Sequence, residues 1–148
     1  MRETLAALEA GEIDAGEAES RLAGYATTRA GRFDAARESR RGIPEGILAE
    51  GKTPDETADL AATAVSTTGR ALVTRADDAT ATAVEEEVDA VDPDASVTRD
   101  DRAGTVVAHA GGFEPPSLDA TVAVVAAGTA DAPVAGEGEP ITARVPRG

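Results

Sequence analysis

The stretch that decides the expected fold is Thr121-Val-Ala-Val-Val-Ala-Ala-Gly-Thr-Ala-Asp131-Ala-Pro-Val-Ala135. Residues 121–127 form a continuous apolar run, which predicts a strand covered on both faces, as in a parallel α/β sheet. The run leads into a turn of small residues with one acid. In such sheets ligands bind at the carboxyl ends of strands, where a small-residue turn lets backbone N–H groups approach a phosphate. The stretch therefore predicts an α/β protein with a nucleotide or phosphosugar site.

The composition narrows the class of protein. A length of 148 residues suggests one domain, or one small domain with part of another. The net charge is −14, with 28 acids against 14 bases, so the surface would repel a nucleic acid. The acids are spread through periodic segments, and Lys52 is the only lysine. We interpret both features as adaptation to high salt, where a Debye length of about 3 Å weakens the repulsion between acids.

The sequence also limits the chemistry and the compartment. It contains no cysteine, which excludes disulfides, a thiolate nucleophile and a cysteine metal site. No apolar run approaches the roughly 20 residues of a membrane span, and no signal peptide precedes the charged start. These observations predict a cytoplasmic protein with no membrane or nucleic-acid partner.

Local signals predict the order of the elements. They indicate helices over residues 2–10, 14–24, 53–69 and 77–88, partial helix over 29–42, and strands over 71–75 and 104–110. Two glycines and two prolines between residues 111 and 118 predict a linker. The expected organisation is a small helix-rich N-terminal domain over residues 1–110. The first βα unit of a parallel three-layer sheet then follows over residues 119–148.

The turn Gly128-Thr129-Ala130-Asp131 is the first candidate site. Its small residues suit a phosphate, and the Asp131 carboxylate could orient a sugar hydroxyl, a water molecule or Mg²⁺. The alternative is an ordinary strand-to-helix turn in which Asp131 is the N-cap.

The second candidate is the basic cluster of the acidic chain, formed by Arg29, Arg32, Arg37, Arg40 and Arg41. Guanidinium groups bind phosphate or carboxylate through paired N–H donors. The alternative is an ion-pair network with Asp34, Glu38 and Glu45. Lys52 either marks a site that needs a compact ammonium group or is an incidental surface residue. His109, the only histidine, lies in a predicted strand and is interpreted as a structural residue.

Two segments carry a family resemblance. Asp34-x-x-Arg37-x-x-Arg40-x-Gly42-x-Pro44-Glu45, followed by Glu50-Gly51-Lys52-Thr53, resembles the N-terminal signature of LarB-type proteins. Residues 127–135 resemble the opening motif of their C-terminal domain, which is similar to PurE-type aminoimidazole ribonucleotide carboxylases. The two motifs occur in the order expected for that family.

The resemblance implies a function. LarB-type proteins carboxylate the pyridinium ring of nicotinic acid adenine dinucleotide with CO₂ or bicarbonate and hydrolyse its phosphoanhydride. The products are AMP and a biscarboxylated mononucleotide, the precursor of a nickel-pincer cofactor. The resemblance implies that Gly128, Thr129, Ala130 and Asp131 contact the nucleotide's ribose or phosphate, with Mg²⁺ possible at Asp131. It implies a ligand-binding or structural role for Arg37, Arg40, Glu45 and Lys52. No prosthetic group is expected, and the family forms oligomers.

The chain also departs from the family pattern. The family's nucleophilic cysteine and a further glutamate lie beyond the matching region, and this sequence has no cysteine. Gly136-Glu-Gly-Glu-Pro140 is expected to break the helix that follows the motif. We therefore expect a truncated or split LarB-like protein, inactive unless a partner chain completes the sheet. The alternatives are a non-enzymatic remnant, a nucleotide-binding regulatory subunit, or a protein related to the PurE-type carboxylases of purine synthesis.

Overall fold

The computed structural model describes residues 2–115 and 122–142. The helices are α1 (Arg2–Glu9), α2 (Ala15–Leu22), α3 (Arg37–Arg41), α4 (Pro54–Thr68), α5 (Asp78–Val91) and α6 (Ala132–Thr142). The strands are β1 (Tyr25–Thr28), β2 (Gly31–Asp34), β3 (Ile47–Leu48), β4 (Arg70–Thr74), β5 (Ser96–Asp100) and β6 (Thr105–His109). None of the helices in these ranges is long and apolar enough to cross a membrane.

The strands form two sheets. β1 and β2 make an antiparallel hairpin, and the larger sheet has the order β3-β4-β6-β5. β3 and β4 are parallel, with Ile47 opposite Val73, whereas β6 is antiparallel to both of its neighbours. Helix α4 connects the parallel pair β3 and β4, and α5 joins β4 to β5. This arrangement confirms the predicted α/β class, with a sheet that is mixed.

Helix α4 begins and ends at the residues that the sequence indicates, whereas α5 begins after the predicted cap but continues to Val91, beyond the predicted end at residue 88. The Thr53 side chain accepts a hydrogen bond from the Glu56 N–H, and the Glu56 carboxylate accepts one from the Thr53 N–H. This capping box satisfies two donors at the start of α4. Gly69 ends the helix with φ at 78°, a left-handed conformation that favours glycine. Asp77 caps α5 by accepting from the Thr80 N–H.

Helices α4 and α5 pack against each other and cover one face of the larger sheet. On the sheet this core is formed by the buried side chains of Ile47, Ala71, Val73, Val106 and Ala108. The helices contribute Ala58, Leu60, Ala61, Ala64, Val65, Ala81, Val84 and Val88. Many of these side chains are alanines, so the helices lie close to the sheet and each residue removes little apolar area from water.

The opposite face of the sheet is only partly covered. Leu72 and Thr105 are buried there, while Ser96 and Thr98 on the edge strand β5 are exposed. Helix α6 contacts β6 and the turn between β5 and β6. A Cβ atom on Gly136 would lie 2.8 Å from the Ala103 Cβ, so glycine is what permits this close approach.

The same contact explains why one prediction was wrong. Residues 136–140 were expected to break a helix, yet α6 continues from Ala132 to Thr142 with Pro140 inside it. Gly136 is unfavourable in an isolated helix by roughly 1 kcal/mol. Here it faces Ala103, where a side chain would clash, so tertiary packing outweighs the intrinsic preference.

The strand predicted over residues 121–127 is also not seen. Thr121 lies outside the described residues, and residues 122–127 form neither strand nor helix. Their side chains are exposed, with no neighbouring strand recorded in the described chain. A strand needs a partner for its backbone N–H and C=O groups, and no strand in the described chain pairs with this segment. The predicted linker is described only as far as residue 115, and its boundaries stay a prediction.

Four strands were not predicted, namely β1, β2, β3 and β5. The segment over 29–42 was expected to be partly helical, but the helix α3 is short and β2 occupies Gly31–Asp34. β5 has the sequence Ser-Val-Thr-Arg-Asp and alternates between exposed and half-buried positions. Its polarity is typical of an edge strand, and it lacks the apolar run that identified β4 and β6.

Candidate functional site

One end of the larger sheet brings together residues from both predicted site segments. β3, β4 and β5 end there and β6 begins there, because Asp100 pairs with Thr105 and Val73 with Val106. We call this end the carboxyl edge and define it by the loops over residues 49–53, 75–77 and 101–104. Both long helices also start at this edge. Ligands of α/β proteins commonly bind at such an edge.

Lys52 lies at the carboxyl edge, within the signature loop. Its Nζ donates a hydrogen bond of 2.7 Å to the backbone oxygen of Leu48. This bond closes the loop between β3 and α4 and leaves the ammonium group exposed. A ligand-binding role for Lys52 stays a prediction.

Arg75 links the signature loop to α6. Its Nη1 lies 2.8 Å from Glu50 Oε2, and its Nε lies 3.8 Å from Glu137 Oε1. Arg75 has φ at 55°, the one positive value among the described non-glycine residues. This conformation costs about 1 kcal/mol or more and is maintained only when surrounding contacts require it. The two ion pairs are contacts of this kind.

The Gly128–Asp131 turn lies beside the β5–β6 turn. The Asp131 N–H donates to the Gly128 oxygen at 3.2 Å, and the Asp131 carboxylate accepts from the Ala127 N–H at 3.3 Å. From the neighbouring turn, Arg102 Nη2 donates to the Thr129 oxygen at 3.1 Å. All four residues of the turn are exposed. Asp131 immediately precedes α6, the position that the N-cap alternative assigned to it.

Arg37, Arg40 and Glu45 lie at the opposite end of the sheet, whereas the Arg29 N–H donates to Asp59 of α4. Arg40 Nη2 contacts both carboxylate oxygens of Asp34, at 2.6 and 2.8 Å. Arg37 lies 3.7 Å from Glu45. These contacts are the ion pairs that the sequence offered as the alternative to a ligand site. A role for Arg37, Arg40 or Glu45 in ligand binding stays a prediction.

The position of Arg70 shows how far Arg37 and Arg40 lie from the carboxyl edge. Arg70 is the first residue of β4, and its Nη2 lies 2.7 Å from Glu38 of α3, an ion-pair contact without hydrogen-bond alignment. Arg75 follows the last residue of the same strand. A strand of five residues spans roughly 15 Å, so α3 and the Gly128–Asp131 turn lie near opposite ends of β4. The structure therefore separates the predicted residues into two groups.

His109 belongs to a small cluster at the α3 end of the sheet. Its ring stacks on Phe113, with centroids 5.2 Å apart and an interplanar angle of 9°. The Arg70 guanidinium lies 5.7 Å from the centroid of the same phenyl ring. Gly69 makes room for that ring, because a Cβ there would lie 2.6 Å from Phe113 Cδ2. Burial, and then the positive charge of Arg70, lower the pKa of His109. These contacts give His109 a packing role.

The lowered pKa of His109 predicts a pH dependence of stability. The unfolded chain binds a proton near pH 6.5, whereas the folded chain binds it only at lower pH. The free energy of unfolding should therefore fall as the pH is lowered through about 6.5, and this loss should level off below the folded pKa. His109→Phe keeps an aromatic ring but removes the titration, so its urea midpoint should change less between pH 7.5 and 5.5. An equal change in both proteins would contradict this prediction.

The described residues give limited support for a resident metal ion. They contain no group of three or more histidine, aspartate or glutamate side chains that could hold one. Mg²⁺ is commonly bound by one or two carboxylates together with substrate phosphates. Asp131 could supply one carboxylate for such an ion only together with a bound nucleotide.

Arg75 and Arg102 were not identified from the sequence. Each lies in a short polar loop, and neither loop contains a recognisable motif. Their proximity to α6 and to the Gly128–Asp131 turn depends on the docking of residues much later in the chain. Local patterns in the sequence do not reveal contacts between such distant residues.

Comparison with known families shows which family the region around the larger sheet belongs to. A family profile described as the LarB/PurE-like N-terminal domain matches residues 25–108. The match covers more than half of the 148 residues. The chain belongs to the LarB/PurE-like N-terminal domain family. In this chain the matched region runs from the β1–β2 hairpin to β6 and includes both parts of the signature.

The family assignment confirms the resemblance seen in the sequence. The motif over residues 127–135 lies outside the matched LarB/PurE-like region, so its nucleotide-binding role stays a prediction. No curated protein and no solved structure matches the chain.

Proposed function

We propose that this chain is the N-terminal portion of a LarB-like carboxylase/hydrolase that acts on nicotinic acid adenine dinucleotide in nickel-pincer cofactor synthesis. The observation that carries the proposal is the contact between the family domain and the later motif. Arg102 in the matched region donates to the Thr129 oxygen of the Gly128–Asp131 turn. The later motif therefore contacts the matched family region at the carboxyl edge, through a residue that lies outside the signature.

The chemistry of the turn supports binding of a nucleotide. Apart from its chain neighbours, no atom of the described residues lies within 4 Å of a Cβ placed on Gly128, so a ribose or phosphate oxygen can approach the backbone there. The turn precedes the N-terminus of α6, where the helix dipole favours an anion. Asp131 would accept a hydrogen bond from a ribose hydroxyl or hold Mg²⁺ together with the phosphates.

The chain supplies binding groups but no thiolate. LarB-type chemistry uses a cysteine nucleophile, and this sequence contains no cysteine. We propose that this chain binds and orients the dinucleotide, with CO₂ or bicarbonate as the second substrate. The catalytic groups would come from a partner chain that pairs with residues 122–127, whereas a homo-oligomer of this chain alone would bind the dinucleotide without turnover.

We expect the purified chain alone to bind nicotinic acid adenine dinucleotide without converting it. Incubation with bicarbonate and Mg²⁺ should form no AMP above a control without protein, as measured by chromatography. Asp131→Ala should weaken binding about tenfold by calorimetry, because a charge-assisted hydrogen bond contributes about 1.5–3 kcal/mol. Asp89→Ala, a change of equal charge on an exposed face of α5, is the matched control. Formation of AMP would refute the claim of inactivity, and equal affinities of the two variants would refute the assigned site.

A second candidate is a nucleotide-binding subunit or remnant without catalysis, and it is favoured by the ion pairs that hold the signature side chains Arg37 and Arg40. It predicts binding without turnover under every condition, including after addition of the gene product encoded next to this chain. A third candidate is a protein related to the PurE-type carboxylases. It predicts that aminoimidazole ribonucleotide competes for the site better than AMP does.

A further inference from the structure

Arg102 lies on a backbone turn that is held firmly at the carboxyl edge. The Asp100 carboxylate accepts hydrogen bonds from the N–H groups of Arg102 and Ala103, at 2.9 and 3.0 Å. Gly104 then packs against the loop after β4, and its oxygen accepts a bond of 2.9 Å from the Ala76 N–H. The position of the Arg102 Cα is therefore fixed by contacts that do not involve its own side chain.

The charge of Arg102 is not neutralised within the described part of the chain. Among the side chains that the structure describes, no carboxylate lies within ion-pair distance of its guanidinium. The two other arginines near this edge differ in this respect. Arg75 pairs with Glu50, and Arg99 contacts Asp78 and Asp101, the second of which raises its pKa most strongly. Arg102 is therefore the arginine at this edge whose charge is available to an external anion.

The Arg102 side chain extends toward the Gly128–Asp131 turn. One nitrogen, Nη2, donates to the Thr129 oxygen at 3.1 Å, which places the guanidinium beside the Gly128–Asp131 turn. A guanidinium carries five N–H donors in a planar fork that matches the oxygens of a phosphate. One recorded bond to Thr129 leaves most of these donors available to a ligand.

We propose that Arg102 binds the phosphate of the nucleotide held at the Gly128–Asp131 turn. This inference rests on the proposed function, and it makes the binding site a shared one. The turn supplies backbone groups and Asp131, and the matched family domain supplies the positive charge. The ligand class is a nucleoside phosphate or diphosphate, since a neutral nucleoside would gain nothing from the guanidinium.

The competing explanation is that Arg102 only holds the turn in place through the Thr129 oxygen. Two substitutions separate these roles. Arg102→Gln keeps an N–H donor that can reach a carbonyl oxygen but removes the charge. Arg102→Lys keeps the charge and loses the planar fork. Arg32→Ala removes the same charge from an exposed position on β2 and is the control for general electrostatics.

The test uses calorimetry of the full chain with two probes, AMP and the uncharged nucleoside adenosine. We expect Arg102→Ala and Arg102→Gln to weaken AMP binding about tenfold or more and to leave adenosine binding unchanged. Arg102→Lys should lose less AMP affinity than these two variants. Arg32→Ala should bind AMP nearly as tightly as the unmodified chain does. Thermal unfolding of each variant, with unchanged midpoints, would show that the fold is retained.

Each remaining outcome contradicts the inference. An equal loss for AMP and adenosine would mean that Arg102 only supports the turn. Unchanged AMP binding in Arg102→Ala, with the dinucleotide still bound by the unmodified chain, would overturn the role of Arg102 and leave the proposed function intact. Failure of the unmodified chain to bind either AMP or the dinucleotide would overturn both.

Discussion

A Val73→Asp variant is expected to lose most of its folding free energy. Val73 is completely buried at the centre of β4, between Ile47 of β3 and Val106 of β6. A carboxylate placed there would have no cation or hydrogen-bond donor to pair with, and such burial costs several kcal/mol. A domain of this size is stable by about 5–15 kcal/mol in total, so the variant should be largely unfolded or close to it.

Urea denaturation followed by circular dichroism measures this effect. Val125→Asp is the matched control, because the same change is made where the side chain is 89% exposed. Exposed substitutions usually change stability by no more than about 0.5 kcal/mol. Similar urea midpoints for the two variants would show that β4 is not the centre of the core.

The second large effect concerns self-association. The segment over residues 122–127 exposes Val122 at 53%, Val124 at 49% and Val125 at 89%, and no strand pairs with it in the described chain. Exposed apolar segments with unpaired backbone groups promote association between chains. We expect oligomers or aggregates of the unmodified chain, and Val124→Asp should raise solubility and lower the apparent mass.

Size-exclusion chromatography with light scattering tests this expectation. Val91→Asp serves as the control, because Val91 is 47% exposed at the end of α5, within the family domain. It should leave the apparent mass unchanged. A clean monomer before any substitution would refute the prediction, and so would an equal response of the two variants.

The elements with strong local signals were predicted well. The capping box at Thr53 and the glycine at residue 69 gave α4 to within a residue, because caps act through bonds between near neighbours. β4 and β6 were identified from their apolar runs over 71–75 and 104–110. These signals are properties of short segments and need no knowledge of the tertiary fold.

Elements that depend on distant partners were predicted poorly. The run over residues 121–127 has the composition of a buried strand, but the described chain provides no neighbour to pair with it. α6 contains two glycines and two prolines, and it persists where Gly136 packs against Ala103. Both outcomes depend on residues far apart in the sequence, because the run has no pairing strand and α6 has a docking partner.

The candidate site divides in the same way. The Gly128–Asp131 turn and Lys52 were predicted as candidates, and both lie at the carboxyl edge. The signature arginines Arg37 and Arg40 lie near the other end of the sheet in ion pairs. Arg102 was not predicted as a site residue, because it is placed beside the turn by a hydrogen bond to Thr129, which is distant in the sequence.

The contacts of α6 also bear on the order in which the chain folds. Within the family domain, α4 packs against β3, β4 and α5, and β6 pairs with both β4 and β5, so each element is held by several others. By contrast, α6 is held by the approach of Gly136 to Ala103 and by the Arg75–Glu137 ion pair, and an element with so few contacts has low local stability. We therefore infer that α6 docks after the domain has formed and detaches before it unfolds. The Gly128–Asp131 turn would then reach Arg102 only in the last folding step. A ligand bound at this turn would stabilise the docked position of α6 more than the rest of the domain.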